Sequence, residues 1–375
     1  MHENPLAEIQ QYGQSIWLDF LHRRILDSGE LKRLIEEDKI RGVTSNPAIF
    51  QKAIGGSDVY DAEIRRLASK GKSTEEIYQT LIVEDIQRAA DLFRQMYDKS
   101  EGQHGFVSLE VNPHLAHKTD ESIAEARKYW SLLDRPNVLI KIPATKEGLP
   151  AISRLISQGI NVNVTLLFGL PRYRQVAEAY ISGLEERQAR GGPLPHVSSV
   201  ASFFLSRIDV LVDPILQEKK KGGDRERDLA VPLIGQVAIA SAKQAYRIYK
   251  ELFTGERFSH LGSRGARPQR VLWASTSTKN PGYSDIKYVE PLIGPETINT
   301  LPEETLDAYR DHGKPAARLE EDIDRSEKVL ADLAAVGIDI EQVTRQLEDE
   351  GVEKFNKPFD KLMQSIEQRS GETAR

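Results

Sequence analysis

Val138-Leu139-Ile140-Lys141-Ile142-Pro143-Ala144-Thr145 is a short apolar run with a single lysine set into it. Side chains alternate along a strand, so Val138, Ile140 and Ile142 share one face while Leu139 and Lys141 share the other. Pro143 has no N–H to give to a ladder and closes the strand. An ammonium group in such a run is costly unless it is paired or sheds its proton. A lysine that sheds its proton is a nucleophile able to form a Schiff base with a ketone. The plainer alternative is a lysine whose stem packs on apolar neighbours while its head reaches water at the strand end. The residues that the other strands bring alongside decide between the two.

Short apolar runs alternate with helical segments along the chain, with no internal repeat at a fixed period, and this alternation predicts a parallel α/β fold. Strands are expected at 15–20, 41–44, 106–111, 138–143, 160–168, 197–204 and 270–276, with a more polar eighth at 296–301. Helices are expected at 29–39 and 58–99, the latter restarting where Ser73 and Glu76 fit a capping box. Further helices are expected at 119–133, at 146–158 before the C-cap Gly159, from Pro171, from Arg207 to about Leu216, and at 229–253 and 284–292. The run Lys219-Lys220-Lys221-Gly222-Gly223-Asp224 suits a flexible surface loop, with phosphate binding the lesser alternative, and 255–269 a glycine- and arginine-rich connection. Eight strands with helices between them predict a (β/α)8 TIM barrel. Residues 1–312 would form the catalytic barrel, and 313–375 a charged, helical C-terminal extension packed on it.

Composition narrows the function. Hydrophobic residues make up 39% and charged residues 29% of 375, which suits a globular chain rather than a disordered one. A net charge of -6 argues against nucleic acid or an anionic membrane as the main partner. The absence of cysteine excludes disulfides, thiolate catalysis and cysteine-ligated metals, and fits a reducing compartment. The stretch Met1-His2-Glu3-Asn4-Pro5-Leu6 lacks the basic and apolar regions of a signal peptide, and no run is long enough to span a membrane, so a cytoplasmic protein is expected.

With Lys141 defining the inward face, the two-residue period sorts every strand. It places Trp17 and Asp19 inward on the first strand, Thr44 and, just beyond it, Asn46 on the second, and Ser108 and Glu110 on the third. Asn161, Asn163 and Thr165 follow on the fifth, Ser198, Ser202 and Phe204 on the sixth, and Trp273 and Ser275 on the seventh. Each strand carries its polar group near the C-terminal end, where barrel enzymes build their active sites. A single buried amide or carboxylate usually serves a local hydrogen bond. A lysine, two carboxylates and several amides and hydroxyls converging on one place are expensive as packing and point to an active site.

Six separated motifs, in order, then make the chain resemble transaldolase. They are Trp17-Leu18-Asp19, Val43-Thr44-Ser45-Asn46-Pro47, Val107-Ser108-Leu109-Glu110-Val111, Leu139-Ile140-Lys141-Ile142-Pro143-Ala144-Thr145, Asn163-Val164-Thr165-Leu166-Leu167-Phe168 and Trp273-Ala274-Ser275-Thr276. The likeness runs from about residue 15 to about residue 312, and the length is similar to that of the longer bacterial branch. It implies transfer of a dihydroxyacetone unit from sedoheptulose 7-phosphate to glyceraldehyde 3-phosphate, giving erythrose 4-phosphate and fructose 6-phosphate, in the non-oxidative pentose phosphate pathway.

By the same resemblance Lys141 forms the Schiff base and Asp19 is the acid/base at the carbon–carbon bond being broken. Glu110 and Thr165 hold the water that forms and hydrolyses the imine. Asn46, Asn163 and Ser202 bind substrate hydroxyls, and Arg207 and Ser275 the phosphate. Free lysine, with a pKa of about 10.4, is almost wholly charged at neutral pH. Burial favours loss of that proton and the two carboxylates favour its retention.

The chain departs from the family pattern at Ser277, where an arginine is expected; Lys279, two residues on, offers a replacement cation of a different shape. Related Schiff-base aldolases tend to carry a tyrosine at the place of Phe204, which favours transfer over release of free dihydroxyacetone. Neither a cofactor nor a metal is implied. His114 and His117 are the nearest candidate ligands and are expected in a solvent-facing loop. The tail beyond 313 falls outside the motifs and would serve structure or subunit contact, which admits a homo-oligomer.

Overall fold

The computed structural model describes residues 4–371. Residues 1–3, part of the stretch expected to carry no leader, and 372–375, the end of the expected helical tail, lie outside the described residues. Eight parallel strands close into a barrel in chain order: β1 Gln14–Leu18, β2 Gly42–Val43, β3 Phe106–Glu110, β4 Val138–Pro143, β5 Val162–Leu167, β6 Ser199–Phe204, β7 Arg270–Ala274 and β8 Thr297–Leu301. Pairing of β1 with β8, from Gln14 opposite Thr297 to Leu18 opposite Leu301, seals it. The strands are almost wholly buried because helices cover their outer faces and side chains fill the interior. At Gly42 only a hydrogen fits, since a Cβ there would meet the Trp17 ring at 2.5 Å.

Sequence punctuation sets several helices as expected. Ser73 Oγ accepts from the Glu76 N–H at 3.2 Å and Glu76 Oε2 accepts from the Ser73 N–H at 2.9 Å, starting the helix Thr74–Lys99. Gly159, at φ +82°, ends the turn after Gly148–Ser157, and Pro171 sits in the first turn of Leu170–Ala189.

Four expectations are corrected. Residues 284–292 form successive turns and only a 3₁₀ turn at Glu290–Leu292, because Pro291 interrupts the segment and its N–H groups bond three residues back, as from Leu292 to the Val289 carbonyl. The stretch 229–253 is divided, with the helix Asp224–Ala230 and the turn Val231–Leu233 separated from Val237–Thr254 around Pro232 and the left-handed Gly235. Residues Glu256–Gly262 form a helix inside the expected connection.

Trp273 faces outward rather than inward. It pairs in register with Phe203 and Asn299, and its indole donates to the Leu292 carbonyl at 3.2 Å, whereas Leu272 pairs with the inward Ser202. Ser275 nevertheless reaches the mouth because its backbone turns left-handed, φ +54°, and breaks the strand's alternation.

Beyond β8 follow the helices Glu303–His312 and Ile323–Ala335, joined by an irregular segment, and a long C-terminal helix, Ile340–Gly371. The second packs on Val237–Thr254. The third lies against the elements around the barrel mouth.

Candidate active site

Lys141 lies in the interior of β4, level with Glu110 of β3 and Asn163 of β5. Its Nζ is 3.0 Å from Glu110 Oε2 and donates to the Ser45 carbonyl at 2.8 Å. Both ion-pair partners have side chains only 5% exposed. Desolvation pushes the Glu110 carboxyl above its ordinary range, and the Lys141 charge pulls it back only in part.

Asp19 follows β1. Burial raises its pKa, while a hydrogen bond from Thr44 Oγ1 at 2.7 Å and the charge of Lys141 work the other way. Thr44 is in turn 2.8 Å from Thr300 Oγ1 on β8. Across the barrel floor, Asn163 Nδ2 donates to Ser108 Oγ at 3.0 Å and Ser202 Oγ donates to Asn163 Oδ1 at 2.7 Å, which fixes the amide's orientation. β5 is irregular between Val164 and Leu167, with Leu166 at φ +55°. Next to it, buried Thr165 leaves its Oγ1 without a partner. An unpaired buried hydroxyl lining the same cavity as a lysine and a carboxylate is a place for a ligand group or a water.

A cavity of about 450 Å³ opens over these groups at the C-terminal ends of the strands. Of the expected residues, Asp19, Asn46, Lys141, Thr165, Ser202, Phe204, Arg207, Ser275 and Lys279 all line it. Glu110 and Asn163 lie one layer deeper, touching the lining through Lys141 and Ser202. Asn46 caps the helix Pro47–Phe50, its Oδ1 accepting from the Ile49 N–H at 3.0 Å, so its amide N–H2 stays free to donate. Arg207 is held between two rings, with its guanidinium carbon 5.4 Å from the centre of Phe204 and 5.8 Å from that of Phe355. Its Nη1 is buried without a hydrogen-bond partner, and desolvation lowers its pKa. A guanidinium fork left unpaired at a cavity wall suits an incoming oxyanion. Ser275 Oγ lies 3.0 Å from Ser206 Oγ, and Lys279 Nζ donates to Ser277 Oγ at 2.5 Å on the same side.

Sequence reasoning did not single out Lys52, Glu304 or Phe355, which also line the cavity. Lys52 follows a motif that was recognised, but Phe355 comes from the C-terminal helix, whose placement no strand pattern encodes. His114 and His117 are exposed, paired with Asp360 at 2.6 Å and Glu147 at 3.1 Å respectively. Among the described residues no cluster of three or more histidine or acidic side chains could hold a metal, and no helix is long and apolar enough to cross a membrane.

A second cavity, about 490 Å³, lies at the opposite end of the strands, lined by Arg41, His104, Arg267, Arg270 and Glu296 among others. It is cationic but has no lysine–carboxylate pair, and barrel chemistry is performed at the other end. The smaller cavity is therefore the candidate active site.

The family model for Transaldolase/Fructose-6-phosphate aldolase matches residues 16–366, reaching well beyond residue 312, near which the likeness expected from the sequence ends. The transaldolase of Trichodesmium erythraeum is 49% identical over 373 residues, covering 98% of both chains. Transaldolase 2 of Nostoc sp. is 47% identical over 369 residues, covering 97% of both. The transaldolase of Thiobacillus denitrificans is 46% identical over 363 residues, covering 97% of this chain and 99% of that one. With the family model spanning nearly the whole barrel and its C-terminal helix, the chain belongs to the transaldolase/fructose-6-phosphate aldolase family of enzymes.

Proposed function

We propose that this enzyme transfers a dihydroxyacetone unit from sedoheptulose 7-phosphate to glyceraldehyde 3-phosphate through a Schiff base on Lys141, forming erythrose 4-phosphate and fructose 6-phosphate. The observation that carries the reading is the buried contact of Lys141 Nζ with Glu110 at 3.0 Å, on the floor of a cavity that also holds Asp19 and Thr165. A carboxylate beside the amine can take its proton and deliver it to the departing hydroxyl as the carbinolamine dehydrates.

The position of each group supports the role we assign to it. Thr165, with its free hydroxyl, and Glu110 hold the water exchanged at the imine carbon. The protonated imine draws the electrons of the breaking carbon–carbon bond into an enamine, while Asp19 takes the proton from the neighbouring hydroxyl. The raised pKa of Asp19 suits a group that must accept a proton in cleavage and return it in condensation. Asn46, Asn163 and Ser202 bind the donor's hydroxyls or orient the groups that do. Arg207, Ser275 and Lys279 receive the phosphate, with Lys279 standing in for the arginine absent at Ser277. Phe204, apolar where an aldolase would place a hydroxyl, favours transfer over release. We assign the reaction to the pentose phosphate pathway in the cytoplasm, a setting supported by the lack of cysteine.

Borohydride reduction in the presence of fructose 6-phosphate, followed by peptide mass spectrometry, tests the reading. A dihydroxyacetone-sized adduct on Lys141 is expected. An active enzyme with an adduct elsewhere, or with none, would overturn it.

A further inference from the structure

The C-terminal helix crosses the barrel mouth and is fastened on both sides. On one side Gly351 sits against Leu166 and Phe168 at the exit of β5, so closely that a Cβ would lie 3.1 Å from Leu166 Cδ2. On the other, the Arg369 guanidinium donates to the carbonyls of Ile54, Gly55 and Ser57 and to Asp61 Oδ1, at 2.8 to 3.0 Å, in the segment after β2. Phe359, between them, meets the edges of Tyr78 and His114, with ring centres at 5.5 and 5.9 Å. Phe355 projects from this span into the cavity and is 3% exposed. Its ring centre is 5.9 Å from Lys141 Nζ and 5.8 Å from the Arg207 guanidinium carbon.

An aromatic face over the nitrogen that becomes the iminium does two things. It stabilises the cation through its quadrupole, and it occupies the space through which bulk water would reach the bound three-carbon fragment. That fragment, the enamine left after cleavage, has two fates. Its nucleophilic carbon can bond to the aldehyde carbon of an acceptor, which is transfer. Alternatively, that carbon takes a proton from solvent, forming a C–H bond and restoring the iminium; water then adds at the iminium carbon, the C–N bond breaks, and free dihydroxyacetone and Lys141 result. The second route needs only water and its protons.

We propose that Phe355 is a specificity-determining residue: as an apolar roof over Lys141 it holds the covalent fragment away from solvent, so that transfer to an acceptor outruns release. This rests on the Schiff-base reading of Lys141. The nine-tenths and more of Phe355 that is buried, its place over both cations, and a helix tied down at both ends all belong to a preorganised wall rather than to a loop end. No other residue of the C-terminal helix lines the cavity.

The test uses the full-length enzyme, with Phe355→Ala and the milder Phe355→Leu, and reads a partition ratio. Dihydroxyacetone released from fructose 6-phosphate alone is divided by the rate of transfer to erythrose 4-phosphate at the same enzyme concentration. The ratio does not depend on the fraction of folded protein, so general damage does not move it. It is expected to rise by about tenfold in Phe355→Ala and by roughly two- to threefold in Phe355→Leu, which keeps apolar bulk but loses the ring. A ratio equal to the native one in both variants, or in Phe355→Leu alone should the alanine variant not fold, overturns the inference. Borohydride trapping run alongside on native enzyme separates the two claims. An adduct on Lys141 with an unmoved ratio removes the roof alone, whereas the absence of that adduct removes the Schiff base and the roof with it.

Discussion

Glu110 and Lys141 form a buried ion pair on adjacent strands, 3.0 Å apart, and among the described residues its only other side-chain polar contact is the bond from Lys141 to the Ser45 carbonyl. Removing one member of such a pair leaves the other buried and alone. Lys141→Met is expected to abolish turnover and also to lower the melting temperature, because Glu110 loses its cation. Adding Glu110→Gln to that variant should restore part of the stability and none of the activity. Thermal melts and turnover of the two single variants and the double variant check this, and a Lys141→Met enzyme with near-native turnover would refute the mechanism.

The raised pKa of Asp19 has a definite sign. A carboxyl whose folded pKa lies above its unfolded value binds more protons in the folded state, so its contribution to stability falls as pH rises through the interval above its ordinary value of 3.8. Asp19→Asn removes that penalty. The variant should therefore gain stability relative to the native enzyme as pH increases from about 4 to 7, while losing turnover by about two orders of magnitude or more. Denaturant melts at a series of pH values, with the difference constant across them, would contradict the assignment.

Arg207 combines an unpaired buried nitrogen with a place between two rings. Arg207→Met keeps the apolar stem between Phe204 and Phe355 and removes a charge whose desolvation the nearby carboxylates Asp19, Glu110 and Glu350 offset only in part. Stability is expected to hold or to rise by ~1 kcal/mol, while the KM for fructose 6-phosphate increases about tenfold or more. Loss of stability without a change in KM would place Arg207 in packing rather than in phosphate recognition.

Lys279 is exposed on the same side of the cavity, bonded to Ser277 Oγ. Lys279→Ala should raise KM for phosphorylated sugars by about two- to fivefold, less than at Arg207 because solvent screens an exposed charge, and should leave non-phosphorylated dihydroxyacetone-bearing analogues unaffected. Equal effects on both would remove Lys279 from the phosphate site.

The barrel and most of its mouth were legible because they are written in a local code. Each strand is a few apolar residues bounded by turn signals, and alternation about Lys141 brought Asp19, Glu110, Asn163, Thr165 and Ser202 to one end without any knowledge of packing. The code failed where the backbone stops alternating. Trp273 was assigned to the wrong face because the left-handed Ser275 restores the mouth position after a strand of opposite parity. It failed again at 284–292, where Pro291 and tertiary bonds such as Tyr288 to Asp209 at 2.9 Å outweigh helical composition. Phe355 was out of reach for a different reason. A helix's own sequence says which of its faces is apolar, but not which distant surface receives it.

Arg369 meets Ile54 across more than three hundred residues of chain, at a separation of 315. All eight strands leave the ribosome before that helix does. A nascent chain can thus hold Lys141 in an uncovered bowl for the time taken to make the C-terminal residues. Closing a loop of that length also carries an entropic cost that must be met before the contact forms. The cover over Lys141 is accordingly supplied by the part of the chain made last, and a chain cut short before Phe355 would lack it.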